Sequence, residues 1–339
     1  MRANRRSVVR RTALAATGLT TTLALAACSQ SAGGSQDTSA EEYPSKTIQF
    51  MVPAAAGGGW DSTARAMQKV IESEDVVSEP VEVFNVEGGG GATGLSQLQK
   101  SEGDPHALMM TGLVMIGALE QADSPVSLED TTPIATLTSE AEAFVVPADS
   151  EFTSIEDVVK AYQEDPSSVT FGGGSAGGSD QLVVAELLKE AGAEPGEMKY
   201  VGYSGGGEAT AGVLSGDIAV GVSGVSEFEG QIESGDMRLL AVSTADPIEV
   251  AGEEAPTLAD AGYDVDFANW RALVAAPGLS DEQVDSVTAV IDEMHGTDAW
   301  KEQLEANGWG DFYKTGDEAQ QYFADEIERV GALYEDLGL

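Results

Sequence analysis

The sequence predicts an α/β protein of two lobes, each a mostly parallel sheet flanked by helices. Three observations point there. Short apolar runs rich in β-branched residues alternate with amphipathic helical stretches over most of the chain, the signature of repeated βαβ units. Four glycine clusters, at 57–59, 88–91, 172–178 and 205–207, follow expected strands and precede expected helices. After the second series of such units, a long strand-like segment at 264–275 leads back towards the first. That return makes the first lobe discontinuous and joins the lobes twice, an arrangement that can hinge.

The N-terminal end precedes the fold. Arg2, Arg5, Arg6, Arg10 and Arg11 give a basic start, 13–27 is uncharged and rich in small residues and leucine, and Leu25-Ala26-Ala27 runs into Cys28. This order reads as a secretory signal peptide over 1–27, too short and too weakly apolar for a spanning helix. A lone cysteine is usually a buried core residue. Here Cys28 directly follows a cleavage-type sequence, which favours lipid attachment and an extracytoplasmic, membrane-anchored protein. Arg10-Arg11 leaves twin-arginine export open beside the general route. Residues 28–42 are rich in serine, glycine and acids and read as a flexible tether. With no second cysteine, the mature domain is expected to rest on its core alone.

The folded part is expected to comprise lobe 1 at 43–142 and 253–339, and lobe 2 at 143–252. In lobe 1, a β-branched strand at 47–52 is followed by a turn at 53–59 and a helix at 61–72. Asp61 suits the first turn of that helix, where an acid meets free backbone amides. A strand at 81–86, glycines 88–91, a helix at 93–100 and a strand at 107–111 ending on Gly112 complete the first series. In lobe 2, a strand at 144–147 precedes a helix opened by Ser154 with Asp157 three residues on, a serine cap with its acid. A strand at 169–171 enters the glycine-rich run 172–180, and a helix follows to about 189. Strands at 198–203, 218–222 and 238–242 alternate with helices ending near 214 and spanning 227–232. Beyond the turn at Pro277-Gly278, two or three acidic amphipathic helices run to the end.

The chain of 339 residues carries 58 acidic and 17 basic residues, a formal net charge of −41. Loss of the five arginines in 1–27 would leave 12 basic against 58 acidic residues, a net of −46. Such a field repels phosphate backbones and excludes nucleic acid as a partner. The acids are scattered, so they read as a solvated surface suited to high salt, where self-repulsion is screened. They do not choose a ligand.

The glycine clusters carry the functional reading. Each would place free backbone amides at a helix start, an anion cradle that needs no arginine. Two clusters fall in each lobe, so an anion between the lobes would meet the carboxyl ends of strands from both. Tight turns and close packing are the competing explanation for any one cluster. No segment fits a phosphate-binding loop ending in Gly-Lys-Ser/Thr, and no convincing dinucleotide fingerprint is present. Catalysis is not expected. The two histidines, His106 and His295, have no metal-ligand spacing, His106 lies at the start of a strand, and the cysteine is taken by the anchor. The carboxylates are too numerous for one pair to stand out. No catalytic residue, cofactor or metal is expected.

Several segments, in order, resemble one family. Tyr43-Pro44-Ser45-Lys46 with 48–53, Gly57-Gly58-Gly59-Trp60-Asp61 with Thr63-Ala64-Arg65, Asn85 with 88–93, Tyr203 with 204–208, Asp217 with Ala219, Leu240-Ala241-Val242-Ser243, Pro256-Thr257-Leu258 and Ala276-Pro277-Gly278 are similar to the substrate-binding proteins of tripartite tricarboxylate transporters, the TctC or Bug type. Gly59-Trp60-Asp61, Asn269-Trp270-Arg271 and 172–180 resemble the tricarboxylate branch. One position departs: Gln181 stands where the family often has histidine. Glutamine keeps a donor and an acceptor but cannot become charged.

The resemblance implies a periplasmic-binding-protein-like clamshell of the type II kind. It would bind a small organic anion, with citrate or another tricarboxylate the leading expectation, and present it to integral membrane subunits of the transporter. A monomer is expected. Ala55, Ala56, Gly57, Gly58 and Gly59 are expected to offer amides to one carboxylate, with Ala176, Gly177 and Gly178 contributing from lobe 2. Ser175, Ser179, Ser204, Thr93 and Thr111 offer hydroxyls, and Tyr203 belongs to a matching loop. Trp60 and Trp270 would wall the cleft, although core packing explains Trp270 equally well. Arg271 is the candidate for a second ligand carboxylate, with a structural salt bridge as its rival. A sensor of carboxylates feeding a membrane signalling protein is the alternative function. Dicarboxylates, aromatic carboxylates and amino acids are the alternative ligands.

Overall fold

The computed structural model describes residues 43–338, except Asp123, Ser175 and Ser204. The signal segment 1–27, Cys28 and the tether 28–42 lie outside the described residues. The strands, in chain order, are β1 (Ile48–Val52), β2 (Val81–Asn85), β3 (Ala107–Gly112), β4 (Thr132–Pro147), β5 (Thr170–Gly173), β6 (Lys199–Gly202), β7 (Val220–Gly224), β8 (Met237–Val242), the short hairpin β9 (Glu249–Val250) and β10 (Glu253–Glu254), β11 (Ala268–Ala275) and β12 (Gly310–Thr315). The helices are α1 (Gly59–Ser73), α2 (Ala92–Leu98), α3 (Leu113–Gln121), α4 (Ile155–Glu164), α5 (Ser179–Glu190), α6 (Gly206–Ser215), α7 (Val225–Glu233), α8 (Asp281–His295), α9 (Asp298–Asn307) and α10 (Gly316–Leu337).

In lobe 1, β1 pairs in parallel with β2 and β3, and β11 runs antiparallel between β3 and the first part of β4. All six residues of β3 are buried, as expected of a central strand covered on both faces. In α1, Ala64, Met67, Val70 and Ile71 form an apolar stripe that packs into the core with Phe50 and Val52. Fully burying such a side chain contributes about 1.5–3 kcal/mol. In lobe 2, β5 pairs in parallel with β6 and β7, and β4 lies antiparallel between β7 and β8.

β4 is therefore one strand shared by two sheets. Through Ala141 it pairs with β11; from Glu142 it pairs with β7. The sequence signal at 144–147 marks only its second part. Residues 132–141 mix threonine, serine and acid with apolar residues, and neither a clean alternation nor a continuous apolar run announces them. β12, among the acidic C-terminal helices, pairs with the other edge of β4 and was likewise not expected.

The return crossing lies at the same level. The Phe267 N–H donates to the Ser243 carbonyl at 2.9 Å and the Leu258 N–H to the Val242 carbonyl at 3.1 Å. Residues up to 267 thus stay beside β8, and the expected division at 252/253 falls within this stretch. Ser243 ties both crossings together: its Oγ accepts from the Glu142 N–H at 2.9 Å and donates to the Phe267 carbonyl.

Strand direction sets where the lobes meet. β3 runs the same way as β4, so the carboxyl ends of β1, β2 and β3 point towards lobe 2. β7 runs against β4, so the carboxyl ends of β5, β6 and β7 point back towards lobe 1. Six strand-to-helix junctions face one cleft.

Candidate functional site

The helices that open at this cleft share a feature. α1, α2, α3, α5, α6 and α7 have glycine at the N-cap, namely Gly58, Gly91, Gly112, Gly178, Gly205 and Gly224, and none has a side-chain cap. Helices α4, α8 and α9, which do not follow these strand ends, are capped by Ser154, Ser280 and Thr297. A helix leaves its first amides unsatisfied unless something caps them. At the cleft no side chain caps them, although in α2 the Ala92 and Thr93 amides are bonded to the Gly89 and Gly88 carbonyls.

The lobe 1 loop is the firmest. Gly57 takes a φ of +89°, a backbone shape that suits glycine. Its N–H donates to Asp61 Oδ2 at 2.8 Å, and the same oxygen accepts from Arg65 Nε at 2.9 Å. Asn85 Nδ2 donates to Asp61 Oδ1 and to the Ala54 carbonyl, each at 3.0 Å. Asp61 is thus a buried brace that reaches back over the N-cap. The Arg65 guanidinium, above all, holds its carboxyl below the usual range, with the Gly57 amide and Asn85 acting in the same direction. The expectation of Asp61 as a first-turn acid holds, and the cap itself is Gly58. Ala55, Ala56, Gly57, Gly58 and Gly59 are all exposed. Among the described residues, nothing accepts the Gly59 and Trp60 amides.

Arg271 lies directly behind this turn. A Cβ on Gly59 would stand 2.6 Å from Arg271 Nη2. Arg271 is 7% exposed, ion-paired with Glu140, and set over the Trp309 ring at 5.5 Å. Its Nη1 is buried and has no partner among the described residues. The salt bridge and a free donor therefore coexist. Trp60 is half-buried beside Gly112, where a Cβ would lie 3.2 Å from the indole nitrogen. Trp270 is fully buried: its indole N–H donates to Glu326 Oε2 at 2.6 Å, and Tyr322 and Phe323 meet it edge-on. Core packing accounts for it, and the structure does not bring it to the cleft wall.

The second lobe 1 loop has a packing explanation. Gly88, Gly89, Gly90 and Gly91 all have positive φ, and Cβ atoms on Gly90 and Gly91 would meet Ala118 at 2.1 Å and Met115 at 2.4 Å. Thr93 is exposed near Gly88. Thr111 is fully buried and donates to Met115 Sδ at 3.3 Å, so its hydroxyl faces the core.

In lobe 2, the Gly177 N–H donates to Gln181 Oε1 at 2.7 Å, and the Tyr334 hydroxyl donates to the Gly177 carbonyl. The Gly174 N–H donates to Asp180 Oδ2. Gly178 and Ser179 are buried, and the Ser179 hydroxyl donates to Asp180 Oδ1 at 3.1 Å. Ala176 is exposed and packs on Gly202. The Tyr203 N–H joins the Gly173 carbonyl at 2.8 Å, while its ring rests against Gly212. Ser175 and Ser204 are outside the described residues.

Sequence reasoning missed the acids behind this loop. Glu142 and Asp180 are buried near one another, with the Tyr200 phenol beside them. Burial pushes the carboxyls of both Glu142 and Asp180 upward. The only linear signal is an acid immediately before the apolar run 143–146 and another inside the glycine-rich junction. A separate hollow of about 560 Å³ between the lobes is lined by Glu140, Glu229, Asp246, Glu249, Asp266 and Asp311, an unsuitable surface for an anion. Among the described residues, no group of three or more His, Cys, Asp or Glu is placed to hold a metal.

The fold is the two-lobed α/β fold of periplasmic-binding-protein-like solute receptors. It matches a TctC solute-binding protein from Polaromonas solved without ligand, with a TM-score of 0.76 at 23% identity over 87% of this chain and 100% of that one. A family model for the TctC receptors of the tripartite tricarboxylate transporter family matches residues 64–339, and the chain belongs to that family. Membership makes it a receptor for a transporter with membrane subunits, not a catalyst. Protein BugT of Bordetella pertussis (strain Tohama I) is 26% identical over 312 residues, 91% of this chain and 94% of that protein. MatC from Rhodopseudomonas palustris, solved with bound malate, gives a TM-score of 0.64 at 18% identity over 86% and 99% of the two chains.

Proposed function

We propose that this protein captures a small organic carboxylate, citrate or another tricarboxylate first among them, between the glycine-capped helix starts of its two lobes and delivers it to the transporter's membrane subunits. The observation that carries the reading is the pair of uncapped, glycine-started helices α1 and α5 at the cleft, set against α4, α8 and α9, which are capped by side chains; α10, away from the cleft, also has no side-chain cap. One carboxylate sits on the amides of 58–60, and the other end of the ligand meets those of Gly178 and Ser179. Each hydrogen bond to an ionised group contributes about 1.5–3 kcal/mol, so several supply affinity without a ring of cations. The free Nη1 of Arg271 is the donor for a further carboxylate. Neutral donors also suit a protein with a net charge of −41, because short bonds in a closed cleft are screened less than surface charges.

A dicarboxylate is the second reading, supported by the malate held in MatC. The proposal includes a lipid on Cys28, the tether 28–42 and a monomeric receptor. It also includes lobe boundaries at the two crossings, Ala141/Glu142 and Phe267/Ala268.

Calorimetric titration of the mature domain in molar salt decides among ligands, with citrate, tricarballylate, succinate, malate and benzoate compared. Micromolar citrate with weak succinate supports the tricarboxylate reading. Malate or succinate binding without citrate moves the assignment to dicarboxylates. No binding by refolded, ligand-free protein removes the carboxylate proposal.

A further inference from the structure

The inference concerns Glu142 and rests on the carboxylate-receptor reading. Glu142 occupies the first position at which β4 belongs to lobe 2: Ala141 still faces Ala268, and Glu142 faces Gly224. Its backbone is tied to Ser243, the residue that also holds the return crossing. Its side chain reaches the first turn of α5 and meets the Ser179 hydroxyl. One residue thus connects the hinge with the lobe 2 cradle.

The surroundings hold too few cations for a bare carboxylate. Asp180 and Ser179 face Glu142 from α5, Glu140 from its own strand and Arg271 from β11; Tyr200 lies alongside on β6, and Glu227 on α7 faces Asp180. Arg271 is the one cation of this group, and it is already paired with Glu140. Glu142 is 1% exposed, and its Oε2 has no partner among the described residues. An ionised carboxylate buried without a partner is far too costly to persist.

The hydrogen bonds lead to the same assignment. Asp180 accepts from the Gly174 amide and from the Ser179 hydroxyl, the pattern of an acceptor. Ser179 has one hydroxyl proton, which that bond uses. With that proton spent on Asp180, a neutral Glu142 is the partner that can still donate to Ser179 Oγ. In that arrangement the Glu142 O–H would donate to Ser179 Oγ, while Asp180 accepts from both the Ser179 hydroxyl and the Gly174 amide.

We propose that Glu142 is the positioning residue of the lobe 2 cradle, acting as a neutral acid between the hinge and the first turn of α5. The carboxyl does not touch the ligand. It orients Ser179 and Asp180, and through Asp180 the Gly174 amide. Burial acts in the same direction on this carboxyl.

The test compares wild type, Glu142→Gln and Glu142→Ala, using citrate and malate as calorimetric probes and ligand-free melting between pH 5 and 8. Glutamine reproduces a neutral donor of the same length. It is expected to keep wild-type affinity within about threefold, whereas alanine loses tenfold or more. Because folded Glu142 holds its proton while unfolded glutamate releases it above about pH 4.3, wild-type stability falls as pH rises. The folding constant falls relative to Glu142→Gln as pH rises above that value, by at most about tenfold per pH unit while the folded carboxyl keeps its proton. Parallel melting profiles for these two proteins would overturn the proposal, as would a glutamine variant as weak in binding as the alanine one. If neither probe binds any variant, the ligand reading fails, and the melting comparison alone still decides whether Glu142 is neutral.

Discussion

The two cleft loops are built on one backbone device and stabilised by opposite electrostatics. In each, glycine caps the helix, and the third helical residue reaches back to the amide of the residue before the cap. Asp61 holds Gly57 and Gln181 holds Gly177. In lobe 1 the brace is an anion with its own cation, Arg65, and an amide, Asn85. In lobe 2 it is neutral, and the neighbouring acids Asp180 and Glu142 have no cation of their own. Free helix-start amides can be held in shape either by a paired charge or by neutrality. The residue that holds the loop amide adds no net charge in either lobe: Asp61 is paired with Arg65, and Gln181 is neutral.

The largest expected effect comes from breaking the charged brace. Asp61→Ala strips the Gly57 amide and Arg65 Nε of their acceptor and leaves Asn85 Nδ2 only the Ala54 carbonyl; a loss of about 2–4 kcal/mol is expected by urea denaturation. The depressed Asp61 carboxyl gives its contribution a definite pH sign. It is fully present above the unfolded aspartate range near pH 4 and lost as pH falls through the folded value. Acid titration of the Asp61→Asn variant should therefore show a shallower loss than wild type.

Gly59→Ala comes next. Its Cβ would enter the space of the Arg271 guanidinium, which Glu140 and Trp309 hold in place. A destabilisation of about 1–3 kcal/mol is expected in thermal melts, with a larger proportional loss in ligand affinity. Gln181→Ala removes one neutral bond and should cost about 0.5–1.5 kcal/mol. Gln181→Glu sharpens the comparison. It keeps the acceptor for Gly177 and adds an anion at the cleft, so anion affinity should fall about tenfold or more while stability changes by under about 1 kcal/mol. Equal affinity in that variant would mean that the neutrality of the lobe 2 brace has no bearing on binding. The smallest effect belongs to the exposed Lys46–Asp104 pair, whose loss should change stability by less than about 1 kcal/mol.

Much of this arrangement was legible in the sequence. Glycine clusters after apolar strands placed the loops, and Ser154 with Asp157 announced the start of α4, which its capping box satisfies. Other parts depend on packing that a linear pattern does not encode. α3 is apolar on nearly every side because it is buried, so it lacks a stripe. β4 serves two sheets with two different sets of neighbours, and its first half has no simple period. Trp270 faces α10 rather than the cleft, and Thr111 faces Met115, choices set by strand orientation. Glu142 and Asp180 are two of 58 acids; only their shared burial distinguishes them.

The central claim is that both loops present their helix-start amides to one ligand. Backbone amide NMR of the mature domain, titrated with whichever of citrate or malate binds more tightly, tests it most directly. The account expects the Gly58, Gly59 and Trp60 amides and those of Gly178 and Ser179 to shift together at a single affinity. A ligand that saturates the protein while the amides of either loop stay unmoved would contradict it.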